Sequence, residues 1–121
     1  MTKIFRLLVC GGRDFGNIRA EAEQLERAIE RMAPQVIITG GAGGADSVAV
    51  GYAMRMRIPY WVFPANWYAH GKAAGPKRNQ SMIDLAQPSA VLAAPGGVGT
   101  ADMLRRAEAA GIKIHRLSEM P

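Results

Sequence analysis

A glycine-rich turn near the carboxyl end of the chain has the composition of a phosphate-binding loop. Residues 95–100 read PGGVGT and lie between an apolar run and a predicted helix. Glycine has no Cβ, so several backbone N–H groups can approach one anion, and the helix N-terminus adds partial positive charge. The Thr100 hydroxyl could cap the helix or donate to a phosphate oxygen. We therefore expect a phosphate against Pro95, Gly96, Gly97, Gly99 and Thr100.

Two further glycine turns follow other apolar runs, at residues 11–14 (GGRD) and 40–44 (GGAGG). Their candidate nucleotide-binding residues are Gly11, Gly12, Arg13, Gly41, Gly43 and Gly44. Asp46 follows the second turn and could bind ribose hydroxyls, act as a base or simply cap a helix. For each turn taken alone, the alternative is a tight turn whose glycines only permit close packing.

A polar run at residues 75–80, GPKRNQ, supplies a candidate counter-ion. Arg78 could hold a phosphate with its forked guanidinium group, and Asn79 and Gln80 could contact a base or ribose. Exposed surface charge is the alternative interpretation of this run. The irregular segment before it contains three aromatic residues that could stack on a nucleobase or pack against the body of the protein. These are Trp67, Tyr68 and His70.

The common nucleotide fingerprints are missing from the sequence. Completing G-x-G-x-x-G from Gly97 would require glycine in place of Asp102, and no G-x-x-x-x-G-K-[ST] string occurs. Cys10 and the two histidines have no metal-ligand spacing. We therefore expect neither an NAD enzyme nor an ATPase, and we predict no metal site and no cofactor.

The elements that position these turns alternate between strands and helices. Apolar runs predict strands at residues 4–9, 36–39, 60–63 and 90–94, and alternating apolar and polar residues predict an exposed edge strand at 112–117. Helical periodicity predicts helices near residues 18–32, 45–58, 77–86 and 101–110, with an irregular loop at 64–76. This alternation indicates the α/β class: a mainly parallel five-stranded sheet with helices on both faces. The glycine turns would then meet at one rim, where open α/β folds bind ligands.

Length, net charge and cysteine content indicate the number of domains, the kind of partner and the location of the protein. The 121 residues suffice for one domain, residues 1–121, and the net charge of +5 favours anionic partners, although spaced arginines also fit solvated helix faces. The single cysteine permits no internal disulfide, and no apolar stretch has the length of a membrane span. We expect a cytoplasmic protein without a membrane partner.

Four motifs in order, VCGGRDF, TGGAGGAD, GPKRNQ and PGGVGT, together resemble the YspA, cpYpsA-related branch of the SLOG superfamily. The resemblance covers nearly the whole chain. It implies a single Rossmann-like domain that binds a nucleotide or nucleotide derivative, as a sensor or a processing protein. It also implies a homodimer, by analogy with the LOG phosphoribohydrolases of the same superfamily.

The LOG enzymes cleave the N-glycosidic bond of nucleoside monophosphates and carry the motif P-G-G-x-G-T-x-x-E with a separate arginine. Arg78 resembles that arginine, but Met103 occupies the glutamate position and cannot act as a carboxylate. Asp102 is the adjacent candidate replacement, and Asp46 or Asp14 could support an oxocarbenium-like transition state instead. An N-glycosidase with catalytic Arg78, Asp46 and Asp102 is therefore the second hypothesis. Superfamily similarity to the DNA-processing protein DprA keeps nucleic-acid binding as a third.

Overall fold

The computed structural model describes residues 3–120. Its strands are β1 (Arg6–Cys10), β2 (Val36–Thr39), β3 (Tyr60–Val62), β4 (Ala90–Ala93) and β5 (Lys113–Arg116). Its helices are α1 (Arg19–Met32), α2 (Ala45–Met56), α3 (Trp67–His70), α4 (Ala74–Ser81) and α5 (Val98–Ala109). None of the helices in residues 3–120 is long and apolar enough to cross a membrane.

The five strands form one sheet in the order β3-β2-β1-β4-β5, and all neighbouring strands run parallel. Central β1 sets the register, since Leu7 pairs with Ile37 on one side and with Ala90 on the other. The chain builds β2 and β3 outward from β1, then crosses to the opposite side for β4 and β5. The strand order therefore reverses between β1 and β4, where open α/β sheets form a ligand crevice.

A hydrophobic cluster covers each face of the sheet, because successive strand residues point to opposite sides. On one face, Leu7 and Val9 pack in the cluster that contains the apolar residues of α1 and α2. On the other, Leu8 packs with residues from α5 and from the π-helical turn Met82–Ala86 that continues α4. The predicted Rossmann-like α/β fold, with helices on both faces, is confirmed.

Two helical regions begin three residues or more before their predicted starts. Residues 64–76, predicted as an irregular loop, contain α3, the 3₁₀ turn Gly71–Ala73 and the start of α4. The Asn66 side chain caps α3 by accepting a hydrogen bond from the Ala69 N–H at 3.0 Å. Helix α5 begins at Val98, three residues earlier than predicted, so the glycine-rich segment itself forms the first helical turn.

Candidate functional site

A pocket of about 570 Å³ opens at the carboxyl ends of the strands. The loops after β1, β2 and β4 line it, together with α3, α4 and the first turns of α5. The three glycine turns predicted to share one rim are therefore brought together at the point where the strand order reverses.

The first turn of α5 leaves its wall of the pocket open. Gly97, Val98, Gly99 and Thr100 line the pocket, and within residues 3–120 no side chain caps this helix at Gly97. A Cβ at Gly97 or Gly99 would meet no described atom within 4 Å apart from its immediate neighbours and, for Gly99, its own helix backbone. The first N–H groups of a helix have no intrahelical partner. This turn therefore combines available N–H donors with free space.

The neighbouring Gly96 has a different role, because its environment is crowded. A Cβ there would lie 2.7 Å from the Gly12 nitrogen and would collide with the Thr100 side chain. Gly12 donates a hydrogen bond from its N–H to the Pro95 carbonyl at 2.8 Å. Pro95 and Gly96 thus join the loops after β4 and β1, whereas Gly97 and Gly99 face open space.

The loop after β1 is wedged between the other two loops. A Cβ at Gly11 would lie 2.7 Å from the Cβ atoms of both Ala45 and Ala94, so only glycine fits without a shift. The Gly12 carbonyl accepts a hydrogen bond from the Ala45 N–H at 3.2 Å. Gly11, Gly12 and Arg13 all line the pocket, and exposed Arg13 brings a charge to it.

In the loop after β2, glycine serves backbone geometry. Gly41, Gly43 and Gly44 have φ of +68°, +85° and +55°, which residues with a Cβ rarely adopt. Gly40 and Ala42 are the residues of this turn that reach the pocket wall. The three predicted glycines therefore shape the loop that carries the wall.

Arg78 lies in the pocket wall, but its guanidinium group already donates hydrogen bonds within the protein. Its Nη1 donates to the Gly40 carbonyl at 2.6 Å and to the Phe63 carbonyl at 3.4 Å, so it ties together the ends of β2 and β3. Its Nε donates to the Asn79 Oδ1 at 3.0 Å. Burial lowers the pKa of Arg78 from its ordinary value, and the negative charge of Asp46 opposes that shift.

Asp102 and Asn79 form a buried polar link between α5 and α4. Asn79 Nδ2 donates to Asp102 Oδ2 at 2.9 Å and to the Gly99 carbonyl at 3.3 Å. Asp102 also accepts from Arg106 Nε at 2.8 Å and from Arg105 Nη2 at 3.2 Å. Burial alone would raise the pKa of Asp102, but these hydrogen bonds and the arginine charges together lower it. Asp102 is thus an ionised carboxylate already engaged by three side chains.

Asp46 stabilises the loop that precedes it in the chain. It is 5% exposed, and its Oδ2 accepts from the Ala42 N–H at 2.9 Å. Burial raises the pKa of Asp46 above its ordinary value, although its hydrogen bonds and the charge of Arg78 act in the opposite direction. Burial, and to a smaller extent the charge of Asp46, also raises the pKa of the neighbouring Cys10 thiol to about 12. Cys10 is therefore not a thiolate nucleophile near neutral pH.

Cationic side chains outnumber carboxylates in the pocket wall. The wall residues within 3–120 include two carboxylates, Asp46 and Asp102, and four cations: Arg13, Lys72, Arg78 and Arg105. Sequence reasoning missed Lys72 and Arg105 as site residues. Arg105 lies three residues after Asp102, and its position in the first turns of α5 was the signal available.

The aromatic candidates separate in the structure. Trp67 lines the pocket, and the Arg13 guanidinium lies 5.9 Å from the centroid of its ring system. Tyr68 is fully exposed to solvent, and His70 is exposed as well. No cluster of His, Cys, Asp or Glu within residues 3–120 could hold a metal ion.

Comparison with known proteins identifies the family. The model of the YspA, cpYpsA-related SLOG family matches residues 5–70, more than half of the chain. The chain belongs to this SLOG family. It is also 34% identical over 127 residues to the Gene 61 protein of Mycobacterium phage D29, covering 96% of this chain and 98% of that protein.

SLOG membership indicates a nucleotide-related function on a Rossmann-like fold. The stretch matched by the family model includes the loops after β1 and β2 and reaches α3. Arg78 and the PGGVGT turn lie beyond it. At the position of the LOG glutamate, Met103 is 1% exposed and packs in the core below the pocket.

Proposed function

We propose that this protein binds a nucleotide or nucleotide derivative in the pocket at the carboxyl ends of its strands, as a sensor or processing protein. The observation that carries the proposal is the first turn of α5, with no side-chain cap among the described residues and with open space at Gly97 and Gly99. A phosphate there would accept hydrogen bonds from the first N–H groups of a twelve-residue helix.

The charge of the pocket supports an anionic ligand. Arg13 and Lys72 are exposed and line the pocket, so both are available to a ligand at its mouth, whereas Arg105 is paired with Asp102. Of the two wall carboxylates, Asp102 is already neutralised by arginines. Arg78 ties together the ends of β2 and β3 at the pocket and brings a further positive charge to the wall.

Binding without hydrolysis is the better-supported form of the proposal. Asp102 is engaged by three donors, Asp46 is engaged by its own loop, and Met103 replaces the LOG glutamate. An N-glycosidase needs a carboxylate free to assist the departing base or to stabilise an oxocarbenium-like transition state. Incubating the protein with each nucleoside monophosphate and separating products by chromatography tests this point, and released base would establish the hydrolase.

Titration calorimetry with matched ligand pairs tests the proposal. Each of AMP, GMP, CMP and UMP is compared with its own nucleoside, which lacks only the phosphate. We expect at least one nucleotide to bind, and its nucleoside to bind at least tenfold more weakly, because the phosphate makes the contacts with α5. Equal affinity within every pair, or no binding, would refute it. Binding to a short single-stranded oligonucleotide alone would favour the nucleic-acid hypothesis.

A cytoplasmic location belongs to the same proposal, since the lone thiol of Cys10 suits a reducing compartment. The homodimer implied by the resemblance to LOG proteins stays a prediction. Light scattering coupled to size-exclusion chromatography measures the mass directly.

A further inference from the structure

Trp67 is a large aromatic residue that lines the pocket while remaining outside the hydrophobic core. It is 49% exposed, whereas a tryptophan used for packing buries most of its surface. Trp61 is similarly exposed, at 48%, but lies on edge strand β3 and contacts Phe63. Trp67 is thus the tryptophan that is both half exposed and part of the pocket wall.

The position of the Trp67 ring is supported from several sides. Asn66 orders the start of α3 through its side chain and also accepts from the His70 N–H at 3.0 Å through its carbonyl. A Cβ on buried Gly75 would lie 3.3 Å from the ring, so glycine lets the indole pack closely against α4. The Arg13 guanidinium adds a cation–π contact at 5.9 Å. The ring is therefore held at the pocket, although about half of the residue's surface is exposed.

We propose that Trp67 is the stacking platform for the nucleobase of the ligand, with the base on the ring face opposite the one over which the Arg13 guanidinium lies. This inference rests on the proposed function, which places the phosphate at α5. The loops after β1 and β4 join through Gly12 and Pro95, so Arg13 follows directly on a residue bonded to the phosphate loop. Trp67 and the α5 turn are then two walls of one pocket, one suited to an aromatic ring and the other to an anion.

A stacking platform favours ligands that carry an aromatic base as well as a phosphate. A sugar phosphate would use the α5 turn alone, whereas a base-bearing nucleotide would use both walls. Every base has a π-face, so stacking discriminates weakly among bases. We therefore expect the presence of a base to matter more for affinity than its identity.

Calorimetry with AMP, GMP, CMP, UMP and ribose 5-phosphate tests the assignment on the wild type and on Trp67→Ala. Nucleotide affinity should fall about tenfold or more in the variant, while the affinity for ribose 5-phosphate should not change. Trp67→Phe keeps an aromatic face and should recover much of the loss. Tyr68→Ala is the matched control, because that side chain is fully exposed beside Trp67, and it should bind like the wild type.

Fluorescence gives a second, independent readout. Trp61→Phe leaves Trp67 as the single tryptophan, and its emission should be quenched by the nucleotide and not by ribose 5-phosphate. Trp67→Phe leaves Trp61, whose emission should not respond.

These measurements distinguish a failure of the stacking platform from a failure of nucleotide binding itself. If the wild type binds none of the nucleotides, the proposed function itself fails. If it binds them and Trp67→Ala binds them equally well, the stacking platform is refuted and phosphate binding stands. Equal losses for nucleotides and ribose 5-phosphate would also refute it, because Trp67 would then only support the loop.

Discussion

Replacing Gly99 with alanine should change stability and binding in opposite directions. Gly99 is the second residue of α5, and a Cβ there would meet no described atom within 4 Å outside its own helix and neighbours. Alanine costs less backbone entropy than glycine in a helix, by about 0.5–1 kcal/mol. We therefore expect Gly99→Ala to raise the free energy of unfolding slightly and the melting temperature by roughly 2–5 °C.

The same methyl group should weaken nucleotide binding. Helical Cβ atoms tilt toward the helix N-terminus, which is where the phosphate would lie against the first N–H groups. Displacing one oxygen from one N–H costs about 1.5 kcal/mol or more, since hydrogen bonds to charged groups are worth roughly 1.5–3 kcal/mol. The dissociation constant should rise at least about tenfold.

Urea denaturation and calorimetry on two variants check this prediction. Gly51→Ala is the matched control, because Gly51 lies inside α2 and, outside its own helix backbone and neighbours, the nearest described atom to an added Cβ is Arg55 Nη1 at 3.4 Å, the end of a flexible side chain. It should gain similar stability and keep wild-type affinity. Wild-type affinity in Gly99→Ala would refute the phosphate position, and a loss of stability would show that the space at Gly99 is not open.

Three further predictions concern side chains of the wall. Arg78→Ala should lower the free energy of unfolding by about 1–3 kcal/mol, because two strand-end carbonyls lose their donor. It should also weaken nucleotide binding more than tenfold. Lys77→Ala, at the exposed neighbouring residue, should change neither quantity in the same assays. Urea denaturation from pH 3 to 7 should give opposite trends for the two wall aspartates. Folding lowers the pKa of Asp102, so this carboxylate stabilises the protein above its ordinary pKa of 3.8 and ceases to do so as the pH falls. The stability deficit of Asp102→Asn should therefore shrink in acid. The pKa of Asp46 is raised by folding, so stability is lost as the pH rises through the folded value, and Asp46→Asn should improve relative to the wild type toward pH 7. Parallel trends would contradict the assignment for whichever aspartate departs from its expected direction. With a pKa of about 12, the Cys10 thiol should react with iodoacetamide at pH 8 far more slowly in the native protein than in urea, and equal rates would refute its burial.

Much of the fold was predictable because local signals agree with the tertiary structure. Apolar runs bounded by glycine or proline located β1 to β4, alternating apolar residues located β5, and the succession of strands and helices implied the parallel sheet. The short helix α3 was missed because a four-residue helix has no periodicity to detect, and its cap at Asn66 is a single side chain. The early start of α5 was missed because a run of glycines disfavours helix by propensity alone.

The candidate site was predictable in its location and less so in the roles of its residues. The glycine turns meet as expected, yet the sequence does not reveal which glycines face a crowded neighbour, as Gly96 does, and which face open space, as Gly99 does. The engagement of Arg78 depends on where the ends of β2 and β3 come together. The i,i+3 and i,i+4 spacing of Arg105 and Arg106 to Asp102 was visible, but the contact from Asn79 was not.

The pairing of β1 with β4 has a consequence for how the protein folds. Leu7 lies beside Ala90, so this seam joins strands far apart in the chain, and such non-local contacts form slowly. The turns after β1 and β2 come from one side of the seam, and the α5 turn comes from the other. The nucleotide proposed to bind between them would contact both sides of the seam. Opening of the sheet at this line would then require release of the nucleotide first, which makes the local opening rate of the protein depend on nucleotide concentration.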